Sequence, residues 1–289
     1  MGKLIDGKSI AAKIKKENME MVAMLKKNNI TPKLAVILVG NDKPSQTYVN
    51  KKKEEAEEIV MDFELYKIDE KIKTEELAEK IQKIQKDNDL SGIIIQLPLP
   101  KHIDTKTILN AVRPEFDVDC LTDINQKKIE DGKNTIIPPT PGAIMEILKY
   151  LNINVKNKNI VIIGKGILVG KPLAFILKHL GALITVCDSK TPDTKEKCLK
   201  ADIIITGVGK KDIVRGDMVK SNAIVIDAGN CFVDKKMYGD VNVPEVLEKA
   251  SFVTPTPGGV GPITVSMLLR NTIIFAQNRN NFLPYEASS

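Results

Sequence analysis

The run Ile160-Val161-Ile162-Ile163 passes without interruption into Gly164-Lys165-Gly166-Ile167-Leu168-Val169-Gly170-Lys171-Pro172, and this passage restricts the fold more than any other. A short apolar run of β-branched residues predicts a buried strand. The glycines predict a tight turn, and Pro172 suits the first turn of a helix, which continues through Leu180 and stops at Gly181. Strand, glycine turn and helix in that order begin a parallel crossover. The rhythm continues with strands at Leu183 to Cys187, Ala201 to Thr206 and Ala223 to Ile226. Polar or glycine-rich turns close them: Asp188, then Gly207-Val208-Gly209, then Asp227-Ala228-Gly229-Asn230. The expectation is a Rossmann-type, doubly wound parallel sheet of the kind that binds dinucleotides.

A second alternating block lies upstream. Leu34 to Val39, Phe63 to Ile68 and Ile93 to Leu97 read as strands. Helices are expected from Ser9 to Asn28 with Ser9 as N-cap, from a Ser45 cap to about Ile59, from Thr74 to Lys86 and from Asp104 to Val112. This spacing predicts βαβ units and another parallel sheet. Pro138-Pro139-Thr140-Pro141-Gly142 marks a rigid junction before a short helix, Ala143 to Leu151. The stiff loop Thr254 to Pro262 precedes a closing helix, Thr264 to Ala276, expected to pack back on the first block. The 289 residues therefore divide into 1–138 with 265–289, a catalytic domain, and 139–264, a nucleotide-binding domain, with a cleft between them.

Composition excludes several classes. A net charge of +6 is spread along the chain, and aromatic residues make up only 4%; a nucleic-acid face would cluster its basic residues and interleave aromatics. Cys120, Cys187, Cys198 and Cys231 form no CxxC pair, and with only His102 and His179 beside them no metal site is expected. No stretch approaches the ~20 apolar residues of a membrane span, and the N-terminus carries no signal-peptide run. A soluble, cytoplasmic protein with free thiols is the expectation.

The glycine loop is the first candidate site. Gly164, Gly166 and Gly170 follow a strand and open a helix, the context in which backbone N–H groups and a helix N-terminus receive phosphate; a tight turn without a ligand is the alternative. Asp188 ends the next strand, where an acid bonds ribose hydroxyls and disfavours a 2′-phosphate. Ser189, Lys190 and Lys165 stand ready to grip that phosphate instead, so the local residues leave NAD and NADP both open. The second candidate is Tyr48 and Lys52, which share a helix face at four-residue spacing just after the first strand. A solvated basic surface is the competing reading, given Lys51-Lys52-Lys53. Gln96, at the end of an apolar strand, needs a partner if buried. A Tyr-x-x-x-Lys pair also serves short-chain dehydrogenases, but there it lies downstream of the glycine loop in the same domain. Here it lies upstream, in a different sheet, so one domain brings the reacting groups and the other the cofactor.

Six motifs occur in one order: Tyr48-Val49-Asn50-Lys51-Lys52, Gln96-Leu97-Pro98-Leu99-Pro100, Asp117-Val118-Asp119, Pro138-Pro139-Thr140-Pro141-Gly142, Val169-Gly170-Lys171-Pro172-Leu173 and Pro257-Gly258-Gly259-Val260-Gly261-Pro262. From about Leu4 to about Ala276 the chain thereby resembles the FolD family of bifunctional methylenetetrahydrofolate dehydrogenase/methenyltetrahydrofolate cyclohydrolases. The resemblance implies oxidation of 5,10-methylenetetrahydrofolate with NAD(P)⁺, then hydrolysis of the methenyl cation to 10-formyltetrahydrofolate. It implies Lys52 as the key catalytic group, Tyr48 stacking on or orienting the folate, and Gln96 tuning the lysine. Asp119 would anchor the pterin, and Pro257, Gly258 and Gly259 would line the folate and nicotinamide pocket. It implies NADP as cofactor on family frequency, with NAD possible, and a homodimer made through the cofactor domains. The departures from the family pattern are Cys120 for a glycine, Pro139 for a cysteine, Lys165-Gly166 in the phosphate loop, Asp188 for a frequent histidine, and a shortened Asp227-Ala228-Gly229-Asn230. Competing readings are a monofunctional dehydrogenase or cyclohydrolase and a non-catalytic folate- or nucleotide-binding regulatory protein.

Overall fold

The computed structural model describes residues 2–87, 89–234 and 236–280. Its strands, in chain order, are β1 Lys3–Leu4, β2 Lys33–Val39, β3 Asp62–Ile68, β4 Gly92–Ile95, β5 Asn159–Ile163, β6 Leu183–Cys187, β7 Ile203–Thr206, β8 Ile224–Asp227, β9 Cys231–Val233, β10 Lys236–Tyr238 and β11 Phe252–Val253. The chain forms two compact units. One comprises Met1–Ala12, Ile129–Lys133 and Thr140–Thr264, the other Lys13–Lys128, Asn134–Pro139 and Val265–Ser289. The first twelve residues group with the nucleotide-type sheet because Lys3 and Leu4 pair with Phe252 and Val253.

The unit holding β2 to β4 has a three-stranded parallel sheet, order β3-β2-β4. β2 lies in the middle and Leu34, Ala35, Val36 and Ile37 are all fully buried, which is why this strand reads as an unbroken apolar run. Ala35, Ile37, Ile93, Ile95, Leu77 and Phe116 share one core cluster. The helix Lys43–Glu58 follows β2. Its cap is Asp42, whose carboxylate accepts from Ser45 N at 2.9 Å, rather than Ser45 as expected. Likewise Asp6, not Ser9, caps the helix Gly7–Lys26, accepting from Lys8 N and Ser9 N. In both cases an acidic side chain three residues ahead supplies the oxygen that the N3 amide needs.

The other unit carries a six-stranded parallel sheet, order β1-β11-β8-β7-β5-β6. β5 is flanked by β6 and β7, so successive crossovers leave it in opposite directions. This is the doubly wound arrangement expected from the sequence, with its switch point between β5 and β7. An antiparallel hairpin, β9 with β10, extends beyond β8 and was not anticipated. The helix Pro139–Tyr150 begins four residues earlier than expected, and the last helix spans Val260–Arg279. Both absorb prolines into their first turn, where the missing N–H is no loss. No described helix is long and apolar enough to cross a membrane.

Candidate active site

On the helix Lys43–Glu58 the buried residues are Ser45, Val49 and Ala56. Lys52 falls in register with them, at a spacing of 3–4 residues, while Lys51 and Lys53 are exposed. The apolar anchoring of the helix therefore turns one lysine of three inward. Lys52 Nζ donates to Gln96 Oε1 at 2.9 Å. Gln96 is itself buried, and its Nε2 donates to Leu97 O at 2.8 Å. That second bond fixes the amide, because only the NH₂ end can face a carbonyl. β4 ends at Ile95, but Gln96 N still reaches Ile37 O at 2.9 Å, so the sheet positions the acceptor.

Lys52 as a whole residue is half-buried. Burial holds its pKa below the ordinary lysine value, and the charge of Asp119 opposes this. Burial raises the Asp119 carboxyl to about 6, with Lys52 pulling it down and Asp117 pushing it up. Burial also raises the Tyr48 phenol, one turn before Lys52. Lys52, Gln96, Asp119 and Tyr48 thus belong to one unit, and the first three interact.

The Asp-Val-Asp motif divides its labour. Asp117 is buried and accepts from Leu121 N at 2.9 Å, Thr122 N at 2.8 Å and Asn125 Nδ2 at 3.0 Å. It folds the chain back on itself and leaves Asp119 at the bend. Cys120 follows with φ of +57°, a conformation that favours glycine. Asn271 Nδ2 bonds Val118 O at 2.9 Å and Ile137 O at 2.8 Å, so the closing helix pins the bend, as its expected return to the first block requires.

The glycine loop fits a phosphate-bearing ligand. Gly164 has φ of +103° and donates to Cys187 O at 2.8 Å. A Cβ on Gly170 would meet Gly164 O at 1.9 Å, whereas a Cβ on Gly166 would meet nothing within 4 Å. Gly164 and Gly170 are thus dictated by packing, and Gly166 leaves open space. The helix Gly170–His179 begins with no side-chain cap; Lys171 N is committed to Gly166 O at 3.0 Å and Pro172 has no N–H, so the Gly170 amide is the one its first turn can offer an anion. Lys165 Nζ pairs with Asp188 Oδ2 at 2.6 Å. That pair, with Lys190 N and Thr191 Oγ1, holds Asp188 down at about 2. Ser189 and Lys190 follow, exposed. Pro257, Gly258 and Gly259 lie in the nucleotide-type unit, where Gly258 has φ of +101° and a Cβ on Gly259 would strike Pro255 O at 2.5 Å. Two buried carboxylates, Asp227 and Asp240, were not singled out from the sequence. The available signal was the glycine beside each, at Gly229 and Gly239.

Residues 5–119 match the family model described as tetrahydrofolate dehydrogenase/cyclohydrolase, catalytic domain. Residues 138–280 match its NAD(P)-binding domain counterpart. The bifunctional protein FolD of Acetivibrio thermocellus is 43% identical over 272 residues, 94% of this chain and 95% of that one. The crystal structure of the bifunctional FolD enzyme of Campylobacter jejuni superposes with a TM-score of 0.94 at 41% identity, covering 96% of this chain and all (100%) of that one. The Trypanosoma brucei dehydrogenase-cyclohydrolase, solved with NADP cofactor and inhibitor, gives 0.93 at 33% identity, covering 96% and 98%. Sequence likeness and backbone agreement extend over both units, and the chain belongs to the tetrahydrofolate dehydrogenase/cyclohydrolase family.

Proposed function

We propose that this chain oxidises 5,10-methylenetetrahydrofolate with NAD(P)⁺ and hydrolyses the resulting methenyl cation to 10-formyltetrahydrofolate. The observation that carries the reading is the Lys52–Gln96 bond on a buried helix face. An amine whose pKa is depressed by burial is available as a neutral base, and a cationic substrate nearby depresses it further. Lys52 takes a proton from water as its oxygen bonds to the methenyl carbon. The hydroxyl of the adduct then gives up its proton as the formyl C=O forms and the bond from that carbon to N5 breaks; N5 takes one of the two water protons from Lys52, the other is released to solvent, and the formyl group stays on N10. Gln96 Oε1 holds the amine in place through both transfers. Asp119 anchors the pterin, Tyr48 packs against the folate, and Pro257, Gly258 and Gly259 line the pocket.

Gly164, Gly166 and Gly170 with the start of the helix Gly170–His179 hold the pyrophosphate. Bound NAD(P)⁺ supplies the hydride acceptor for the oxidation. We favour NADP⁺, with Lys165 and Lys190 on the 2′-phosphate; NAD⁺ is the alternative that the ionised Asp188 supports. A cytoplasmic homodimer is proposed as the working form. β6 is a sheet edge on which Leu183 and Val186 are 55% and 40% exposed, and light scattering at twice the monomer mass tests the dimer.

The decisive experiment mixes purified protein with methylenetetrahydrofolate and each nucleotide in turn, and separately with methenyltetrahydrofolate alone. Reduced nucleotide in the first assay and decay of methenyl absorbance in the second are expected. Loss of one of the two signals identifies a monofunctional enzyme, and loss of both leaves a binding protein.

A further inference from the structure

The turn that follows β7, Gly207-Val208-Gly209-Lys210, is folded around a single side chain that lies about thirty residues further along the chain, that of Asp240. Asp240 is completely buried (0% exposed). Its Oδ2 accepts from Thr206 Oγ1 at 2.7 Å and from Val208 N at 2.6 Å, and its Oδ1 accepts from Lys210 N at 2.8 Å. Each of these donors lies at the carboxyl end of β7 or in the turn itself. A carboxylate held by three donors in a dry interior makes strong, geometrically exacting bonds.

The neighbouring turn is built to admit it. A Cβ on Gly229 would lie 2.1 Å from Asp240 Oδ1. Asp227, at the end of β8, answers from the other side: its carboxylate accepts from Gly229 N at 2.9 Å and from Val241 N, next to Asp240, at 3.0 Å. A Cβ on Gly239 would lie 1.9 Å from Asp227 Oδ2. The two acids therefore fasten each other's segments, and both glycines are needed for the approach.

The clamped turn stands at the switch point of the sheet, opposite the glycine loop. A Cβ on Gly164 would come within 3.3 Å of Gly207 O, and one on Gly207 within 3.1 Å of Val169. Ligands of doubly wound sheets lie beyond the strand ends at this place. Val208, at the tip, is 46% exposed.

We propose that Asp240 is a positioning residue for the nicotinamide nucleotide: by fixing the Gly207–Lys210 turn it shapes one wall of the dinucleotide site without touching the ligand. The proposal rests on the dehydrogenase reading above. Substitution of Asp240 by Asn keeps the size but turns one acceptor into a donor facing a backbone N–H, so the turn must shift.

The test uses full-length wild type, Asp240→Asn and Thr206→Val. Calorimetric titration with NADP⁺ and with NAD⁺ is expected to give a Kd raised at least about tenfold in D240N, the scale of one lost charge-assisted hydrogen bond. In T206V, which removes one donor and keeps the shape, a smaller rise of about two- to fivefold is expected. Cyclohydrolase turnover without nucleotide, which depends on Lys52, should stay within about twofold in both. Unchanged Kd in D240N, or a parallel fall of cyclohydrolase turnover, overturns the proposal by reducing Asp240 to a general structural role. If D240N does not fold, T206V decides, and an unchanged Kd there overturns it. A wild type that binds neither nucleotide refutes the dehydrogenase reading itself, whereas normal wild-type binding with unaffected variants refutes only the positioning role.

Discussion

Lys52 Nζ and Gln96 Oε1 are 2.9 Å apart, and the other end of the Gln96 amide is committed to Leu97 O. The acceptor is therefore neutral and cannot rotate to present its NH₂. A neutral acceptor stabilises the ammonium less than a carboxylate would, and it leaves the lysine pKa to burial. Asp119 is the one charged group that pulls the other way. The balance of the pair suits a base that must be unprotonated part of the time.

Removing the amine should abolish the hydrolytic step and spare the fold. Lys52→Ala and the stem-preserving Lys52→Met are expected to lose at least about 10²-fold in cyclohydrolase turnover, the usual scale of a positioned base. A buried lysine with a lowered pKa costs stability at neutral pH, a cost that fades only as pH rises toward the ordinary lysine value of 10.5. Lys52→Met should therefore melt no lower than wild type at pH 7. Methenyl decay followed spectroscopically, with thermal melts alongside, checks both points. An active Lys52→Met enzyme would refute the role given to the amine.

Gln96→Glu places a carboxylate where the neutral acceptor stands. An opposite charge at hydrogen-bond distance typically moves a pKa by ~1–3 units, here upward for Lys52. Less neutral amine is then present at pH 7, so cyclohydrolase turnover falls and its rise with pH moves to higher pH by at least about one unit. Gln96→Met removes the bond without adding charge, and should lower the rate without that upward displacement. Rate profiles from pH 6 to 10 separate the two outcomes; identical profiles in the two variants would contradict the electrostatic account.

Asp119 predicts a pH-dependent stability difference. Its carboxyl lies at about 6 in the folded chain against an ordinary 3.8. The folded state thus holds the proton more tightly, and stability contributed by the group is present at low pH and lost as pH rises through that window. Asp227 is raised to about 6 as well and acts in the same sense. Asp119→Asn isolates one of them. The stability of the variant relative to wild type should increase between pH 4 and pH 7.5 by roughly 1–3 kcal/mol, the upper value being the full shift. Urea unfolding at the two pH values measures it, and a constant difference would remove the buried charge from the explanation.

Both sheets and the doubly wound order were legible because β2, β4, β5, β7 and β8 are buried on both faces and read as continuous apolar runs. Helix starts were misplaced where the stabilising group lies outside the periodic stretch, as with Asp6 and Asp42, or where prolines inside a first turn read as breakers, as at Pro139 and Pro262. β1 and β11 are two residues each, too short to carry a period. At the candidate site, the four-residue spacing and the family resemblance pointed to Lys52, the one lysine of the three that is not exposed. The carboxylate of Asp240 was hard to read for a different reason: two of its three donors are the backbone amides of Val208 and Lys210, which leave no trace in side-chain identity.

On the proposed reading, the nucleotide preference would turn on the pair Lys165 and Asp188. The two are 2.6 Å apart, and with the lysine side chain 70% exposed the pair is readily exchanged for another partner. A 2′-phosphate there would recruit Lys165 but would meet the charge of Asp188, whose carboxyl Lys165 helps to hold down at about 2. Asp188→Asn removes that repulsion and frees the lysine, so the ratio of kcat/KM for NADP⁺ over NAD⁺ should rise about three- to tenfold. Lys165→Ala removes the attraction and leaves Asp188 alone with the ribose, so the same ratio should fall by a similar factor. Initial rates with each nucleotide at saturating methylenetetrahydrofolate give both ratios. If the two variants move the ratio in the same direction, the 2′ position is read by other groups and the preference for NADP⁺ loses its physical basis.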